Sequence, residues 1–409
     1  MRILIISNLY PPYYIGGYEI GCYDVVEALK AKGHEIKVLT SKYGIKKATI
    51  EKDVYRLLDT ELEWENTKFF KSFLNRFKLL KKEIINPRIF KHLYISFKPD
   101  IIYAWKIEGI SISIILLAQK LNTPIYFYVF DTWISHIEKD YWYTLWHRKS
   151  KNKIKQIIKK SIYPIINIFI PIPTGSLILN NVQFASNYLK NYVEKSDKKI
   201  KKGEVIYWGI DINKFSYKLS VNHYPKLLYV GQIVYHKGIN TLVETMKILV
   251  KKYGYISLKL TIVGKSTKID YVKSIQNLIH SYKLENNVDF LGFIYRKQLP
   301  HIYHEHDILI FPSIWEEPFG ITIIEAMASG LAVVGTATGG STEILEDGIN
   351  SLVFQKEDTE NCAMQIKKLL DKPALLEKIR INGRTTVIEK FNFENTIKKI
   401  ENSLFTIIN

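Results

Sequence analysis

The stretch Asp307–Leu345, DILIFPSIWEEPFGITIIEAMASGLAVVGTATGGSTEIL, alternates apolar runs with proline- and glycine-rich breaks. The run Ile308–Phe311 stops at Pro312-Ser313, which predicts a short buried strand opening into a loop. Pro318-Phe319-Gly320 does not suit a helix interior. Ile321, Ile324, Ala328 and Leu331 recur at helical spacing, with Ser329-Gly330 as the stop. Glu317 therefore falls on the loop and Glu325 about one turn inside the helix. A second apolar run, Ala332–Val334, follows at once, and Gly335 through Gly340 make another loop before Glu343. Strand, loop, helix, strand, loop is the unit of an open parallel sheet.

Such a unit is an anion site. The free N–H groups of Gly320, Ile321 and Thr322 at the helix start, with the helix dipole behind them, suit a phosphate or diphosphate. The two carboxylates would repel that anion unless they face hydroxyl groups instead. A nucleotide-sugar, a diphosphate between two polyols, satisfies both requirements. The alternative from these residues alone is that Glu317 and Glu325 are solvated surface acids, the usual place for glutamate.

Glu317 and Glu325, with seven residues between them, within EEPFGITIIEAMASG and followed by TGGSTEIL, resemble the signature of the retaining glycosyltransferases of the large family 4. A pair of glutamates at that spacing is common; PFG, EAMASG and GG-x-x-E are the specific parts. The resemblance extends over nearly the whole chain. It implies an α/β protein of the GT-B type, two doubly wound Rossmann-like domains facing across a cleft. The expected division is 1–200 for the acceptor side, 201–390 for the nucleotide-sugar side, and a final helix over 391–409 crossing back to the first domain. The implied reaction is retaining transfer of a sugar from a UDP- or GDP-sugar to an acceptor hydroxyl, by substrate-assisted departure of the diphosphate, with no metal and no other cofactor. The setting expected is cell-envelope polysaccharide or glycolipid synthesis, with a sugar or lipid-linked acceptor.

Composition bounds the alternatives. At 409 residues there is room for two domains, and 47% hydrophobic with 24% charged residues is a globular balance. Cys22 and Cys362 lie far apart without metal or redox spacing, which reads as a reducing compartment. Met1-Arg2 leads directly into ILIIS, Asn8 and two prolines, so no signal peptide is expected, and no apolar run reaches the ~18 residues of a spanning helix. The expected location is the cytoplasm, peripheral to the inner face of the cell membrane. No Asp-x-Asp at a suitable place and no His/Cys cluster argue for a metal site. A net charge of +18 calls for an anionic partner.

In chain order, Arg2–Ser7 reads as a strand, then a loop with Pro11-Pro12 and Gly16-Gly17, a helix to Gly33-His34, and a strand over Glu35–Thr40. The glycine pair lacks G-x-G-x-x-G, so it is no dinucleotide fingerprint. By resemblance, Gly16 and Gly17 face the donor phosphate and the acceptor; by spacing alone they are equally a tight turn. Aromatic residues Phe69, Phe70, Phe73 and Phe77 with Leu80 read as a core helix with a basic solvated face. Pro124–Phe130 reads as a strand ending at Asp131, where open sheets place ligands. The family often has His-Asp there, and this chain has Phe130-Asp131, leaving Asp131 as the polar catalytic candidate beside Glu317.

His147 to Pro173 contains no acidic residue, while Arg148, Lys149, Lys151, Lys153, Lys155, Lys159 and Lys160 are basic. Ile154, Ile157, Ile158 and Ile162 share one helical face. With Tyr141, Trp142 and Trp146 before it, 141–160 suits an anionic membrane surface. An ordinary helix with a lysine-rich outer face fits the same pattern. The lysine-rich 196–204 reads as the interdomain linker.

In the second half, Lys226–Val230 with Gly231-Gln232 opens a βα unit, and Lys237-Gly238 precedes its helix. The family's phosphate-binding pair is an arginine after the first glycine and a lysine before the second. Lys237 matches, and Gln232 stands in place of the arginine, donating hydrogen bonds without charge. The resemblance carries donor binding to Gly16, Gly17, Gly231, Gln232 and Lys237, to Phe293 in a base-recognition loop, and to Phe319, Gly320, Ile321, Thr322 and Glu325. Two rivals remain: a nucleotide-sugar epimerase of the same architecture, which needs an acid/base pair at the sugar, and a basic nucleic-acid binder, for which no motif is present and which is not expected.

Overall fold

The computed structural model describes residues 1–61, 73–147, 153–169, 172, 178–196, 199–217, 225–266 and 268–409. The chain forms two compact units. Met1–Ala185, Leu189–Ile206 and Ile397–Asn409 make the first; Ser186–Tyr188 and Tyr207–Thr396 make the second.

The first unit is built on β1 (Arg2–Ile6), β2 (Glu35–Ser41), β3 (Thr49–Glu51), β4 (Val54–Leu58), β5 (Ile101–Ala104), β6 (Ile125–Val129), β7 (Ile178–Phe184) and β8 (Lys199–Val205). Their order is β3-β4-β2-β1-β5-β6-β7-β8. All neighbours run parallel except the β3–β4 hairpin at one edge. The central strands are nearly continuous apolar runs, RILII, IIYA and IYFYV, because helices cover both faces of such a sheet.

The second unit carries β9 (Lys226–Val230), β10 (Lys259–Val263), β11 (Val288–Gly292), β12 (Ile308–Phe311), β13 (Ala332–Gly335) and β14 (Leu352–Val353), in the order β11-β10-β9-β12-β13-β14 and parallel throughout. Leu227, Ile262, Ile310 and Val334 from the strands and Leu242, Ile275 and Ile366 from flanking helices make one buried core. The chain crosses between β9 and β12 in the sheet order, and ligand-facing loops of an open α/β sheet gather at the carboxyl ends of strands flanking such a point.

Three expectations are corrected here. The segment expected as a linker, 196–204, is mostly strand: β8 pairs in parallel with β7 from Ile178–Lys199 to Phe184–Val205. It is an edge strand, and lysines on an edge discourage further pairing, so the composition that resembles a linker serves a sheet boundary. The boundary expected at 200/201 accordingly moves past β8, which stays with the first unit; that unit also holds Ile397–Asn409, which takes in most of the last helix, Phe393–Ile408, where a final helix over 391–409 was expected to return. Within that unit Glu401 bridges Lys32 (2.9 Å) and His34 (2.8 Å), and Ser403 donates to Glu204 (3.0 Å). Trp142, expected at a membrane interface, is buried in the first unit and meets Trp146 edge-on.

The aromatic reading over 69–80 is met in part by a helix over Phe73–Phe97, which buries Leu79, Phe90, Leu93 and Phe97; Phe69 and Phe70 lie outside the described residues. So do Arg148, Lys149 and Lys151 of the basic segment. The remainder of that segment is a helix over Lys153–Phe169 whose isoleucines point outward: Ile157 is 64% exposed, Ile158 53%, Ile165 60% and Ile168 77%.

Candidate functional site

In the second unit, Lys237 and Glu317 meet after the adjacent strands β9 and β12. Lys237 Nζ donates to Glu317 Oε1 at 2.5 Å, and Ser313 Oγ donates to the same oxygen at 2.5 Å. Glu317 is buried, and Lys237 retains partial access to solvent. A buried carboxylate holding both a cation and a hydroxyl is satisfied, so the solvated-acid alternative fails for Glu317.

Backbone contacts hold these side chains in place. The turn Tyr235–Lys237 ends at Gly238, whose φ is +75° and where a Cβ would stand 1.9 Å from the Pro312 carbonyl oxygen. No other residue lets the two loops approach so closely. The amides of Ile314 and Trp315 then donate to the His236 carbonyl at 3.0 and 3.2 Å. On the other side, Gly340 N donates to Glu317 O at 2.5 Å, and a Cβ on Gly340 would meet Pro318 O at 2.3 Å. Thr336 Oγ1 donates to Ser313 O (2.6 Å) and Thr338 Oγ1 to Trp315 O (2.9 Å). The glycine pair and threonines of TATGG thus brace the loop that carries Glu317.

The helix Ile321–Ala328 begins after Gly320, with Ile321 and Thr322 half-buried at its start. Glu325, its fifth residue, is buried and accepts a hydrogen bond from Tyr303 Oη at 2.9 Å. Burial, and then the Glu325 charge, hold the Tyr303 phenol well above its ordinary range, so it stays protonated and donating. Phe319 is a correction to the donor-binding set as far as its ring is concerned: the ring is core, stacked on Tyr207 (6.0 Å) and edge-on to Phe391 (5.6 Å). Only its backbone stands with Gly320 at the helix start.

Gly231 and Gln232 follow β9, where Tyr229 Oη donates to Gln232 O at 2.8 Å and leaves the Gln232 side chain exposed. Phe293, after β11, is half-exposed and edge-on to Tyr295 at 5.1 Å. His236, beside Lys237, has its imidazolium disfavoured by burial and by the lysine charge, and lies 5.4 Å from the Trp315 ring. Glu343 accepts from Asn187 N (3.0 Å), Tyr188 N (2.8 Å) and Tyr207 Oη (2.9 Å), all within the second unit.

Gly16, Gly17 and Asp131 belong to the first unit. Gly16 N donates to Glu19 Oε2 at 2.9 Å at the start of the helix Gly17–Ala31. Burial pushes the Glu19 carboxyl up, against the pull of that hydrogen bond and of Lys106. Asp131, following β6, accepts from Lys106 Nζ at 2.7 Å and from Trp133 N at 2.8 Å; Lys106, following β5, also lies 3.2 Å from Glu108. Burial alone would depress the Lys106 ammonium, but the charges of Asp131 and Glu108 outweigh it and hold it above its ordinary value. Asp131 is thus an ion-paired acceptor. Phe130, where the family often has histidine, packs edge-on to Tyr18 at 5.9 Å.

Lys106, Ser313 and Tyr303 are absent from the residues singled out by motif. Lys106 and Ser313 each immediately follow or closely follow a buried strand, a position that marks loops at the carboxyl edge of a sheet. Nothing in the spacing of Tyr303 singles it out. Among the described residues no group of three or more His, Cys, Asp or Glu is placed to hold a metal ion.

Residues 15–214 match the family model described as Glycosyltransferase Family 4, and residues 211–386 match that described as Glycosyl transferases group 1. An uncharacterized glycosyltransferase of Methanocaldococcus jannaschii is 24% identical over 428 residues, covering 98% of this chain and 97% of the relative. The capsular polysaccharide biosynthesis glycosyltransferase CapM of Staphylococcus aureus is 29% identical over 218 residues, 49% of this chain and 51% of its own. Anabaena HepE, solved in complex with UDP and glucose, superposes with a TM-score of 0.68 at 19% identity over 99% of both chains, a likeness of fold.

Proposed function

Because the chain belongs to the glycosyltransferases of the GT-B fold, spanned by the family 4 and group 1 models, we propose that it transfers a sugar from a UDP- or GDP-sugar to an acceptor hydroxyl with retention at the anomeric carbon. The observation that carries this reading is the Lys237–Glu317 pair, held beside the start of the helix Ile321–Ala328. Lys237 and the amides of Gly320, Ile321 and Thr322 receive the diphosphate. Glu325 accepts from the ribose hydroxyls and Glu317 from the transferred sugar. The bond from the anomeric carbon to the diphosphate oxygen breaks, and the acceptor oxygen bonds to the same face. The acceptor proton passes to the departing diphosphate, whose charge Lys237 and the helix start offset. Glu317, an anion near the anomeric carbon, favours the positive charge that develops there. Asp131, ion-paired with Lys106, serves as an acceptor that orients a hydroxyl.

The acceptor is the growing end of an envelope polysaccharide or a lipid-linked sugar, as suits a chain related to a capsular polysaccharide enzyme. It is met at an anionic membrane surface through the helix Lys153–Phe169. On an ordinary surface helix the isoleucines would pack inward; here Ile157, Ile158, Ile165 and Ile168 face outward, with lysines beside them and no acidic residue from Tyr141 through Val193. That is the arrangement of a helix lying in a headgroup layer. Among the described residues no helix is long and apolar enough to cross a membrane, so the attachment proposed is peripheral.

A thermal-shift screen of UDP- and GDP-sugars tests the donor assignment. A true donor at a hundred times its dissociation constant adds ~2.7 kcal/mol of stability. No response to any nucleotide-sugar or nucleoside diphosphate overturns it.

A further inference from the structure

Glu317 and Glu325 receive different kinds of partner. Glu317 takes a lysine and a serine; Glu325 takes a neutral phenol. A phenol donor orients the carboxylate oxygen to which it bonds. Tyr303 lies in the helix Leu299–His304, is fully buried and packs against the Phe215 ring at 6.1 Å. In a close-packed interior such a ring has one position, and so does the hydroxyl it carries. With the phenol always a donor, Glu325 Oε2 is always an acceptor, and the carboxylate plane is set before any ligand arrives.

We propose that Tyr303 is a positioning residue for donor recognition: by fixing Glu325 as an oriented acceptor, it sets the preference for ribose over sugars lacking the 2′ and 3′ hydroxyls. This rests on the reading of Glu325 as the ribose acceptor.

The dissociation constants of UDP and 2′,3′-dideoxy-UDP, or of the GDP pair if guanine is the base bound, are measured by calorimetry on the full chain. Wild type, Tyr303→Phe, Glu325→Asp and Glu325→Gln are compared. Tyr303→Phe removes one hydroxyl and keeps the ring. It lowers the ribose preference about fivefold, the worth of a hydrogen bond of ~1 kcal/mol, and leaves affinity for the dideoxy nucleotide unchanged. Glu325→Asp, which draws the carboxylate back from Tyr303, lowers the same ratio, and so tests the proposal even where Tyr303→Phe does not fold. General structural damage would weaken both nucleotides alike and leave the ratio standing. A wild-type ratio in Tyr303→Phe or Glu325→Asp, with the ratio lost in Glu325→Gln, overturns the role of Tyr303 alone. A wild-type ratio in Glu325→Gln overturns the ribose reading and this proposal with it.

Discussion

Lys237 Nζ and Glu317 Oε1 stand 2.5 Å apart, eighty positions apart in sequence, and the carboxylate is the more buried of the two. The cation proposed to receive the diphosphate is therefore held by the anion proposed to face the sugar. Lys237 is both shared and pre-placed, so its position does not depend on a ligand.

Replacing either partner separates their roles. Lys237→Ala should weaken nucleoside diphosphate binding by about 1.5–3 kcal/mol, the range for a hydrogen bond to a charged group. Glu317→Gln should leave that affinity unchanged or slightly tighter, since it releases Lys237, while kcat falls. An interaction made mainly in the transition state shows in kcat. Calorimetry with single-turnover kinetics reads both; equal loss of nucleotide affinity in the two variants contradicts the division.

The TATGG loop should be intolerant of even one added carbon. A methyl at Gly340 would stand 2.3 Å from Pro318 O and 2.9 Å from Phe319 Cα, both backbone atoms with no side-chain torsion to relieve them. Gly340→Ala should cost about 1–3 kcal/mol of stability, as overpacking does, and displace Glu317, so turnover should fall further than melting temperature explains. A variant with wild-type kcat would show that this brace is dispensable.

Glu83 should give the first unit a pH-dependent stability. It is buried, accepts from the Ser111 and Ser113 hydroxyls, and lies 3.9 Å from Lys82. Burial, with the neighbouring Asp140 charge adding to it, pushes its carboxyl up to about 7 against the pull of Lys82 and the serines. Between its ordinary value of 4.5 and about 7 the folded chain keeps a proton that the unfolded chain has lost, so stability falls as pH rises across that window. Glu83→Gln should remove this slope and gain on wild type between pH 5 and pH 8 in urea denaturation. A difference between the two proteins that is the same at both pH values would refute it.

The outward isoleucines should matter for membrane attachment beyond charge. Ile157→Asp with Ile165→Asp should release the protein from anionic vesicles even at low salt, and leave turnover on a soluble acceptor analogue intact. Changing Lys155, Lys159 and Lys160 to glutamine should instead make binding weaker and less dependent on salt, because electrostatic attraction is screened and apolar insertion is not. Vesicle flotation across a salt series distinguishes these outcomes, and retention of the double aspartate variant on vesicles would exclude this helix as the contact.

What the sequence by itself determined is whatever lies within one strand or one turn of chain: apolar runs such as Ile308–Phe311 and Ala332–Val334, the break at Pro318-Phe319-Gly320, and the place of Glu317 on a loop and Glu325 inside a helix. Propensity, periodicity and the chirality of βαβ units act over such distances, and together with the motif they pointed to two largely parallel sheets and their family. What only the tertiary structure decided is which distant groups meet. Lys237 with Glu317, Tyr303 with Glu325 and Lys106 with Asp131 come together because parallel strands bring loops from separated segments to one edge of a sheet. Local composition also left two signals with double meanings. A lysine-rich run suits a linker or an edge strand, and became β8; an amphipathic isoleucine stripe looks the same facing a core or facing outward, and in Lys153–Phe169 it faces outward. Periodicity reports that a face is apolar, and only the packing of the rest of the chain determines what covers it.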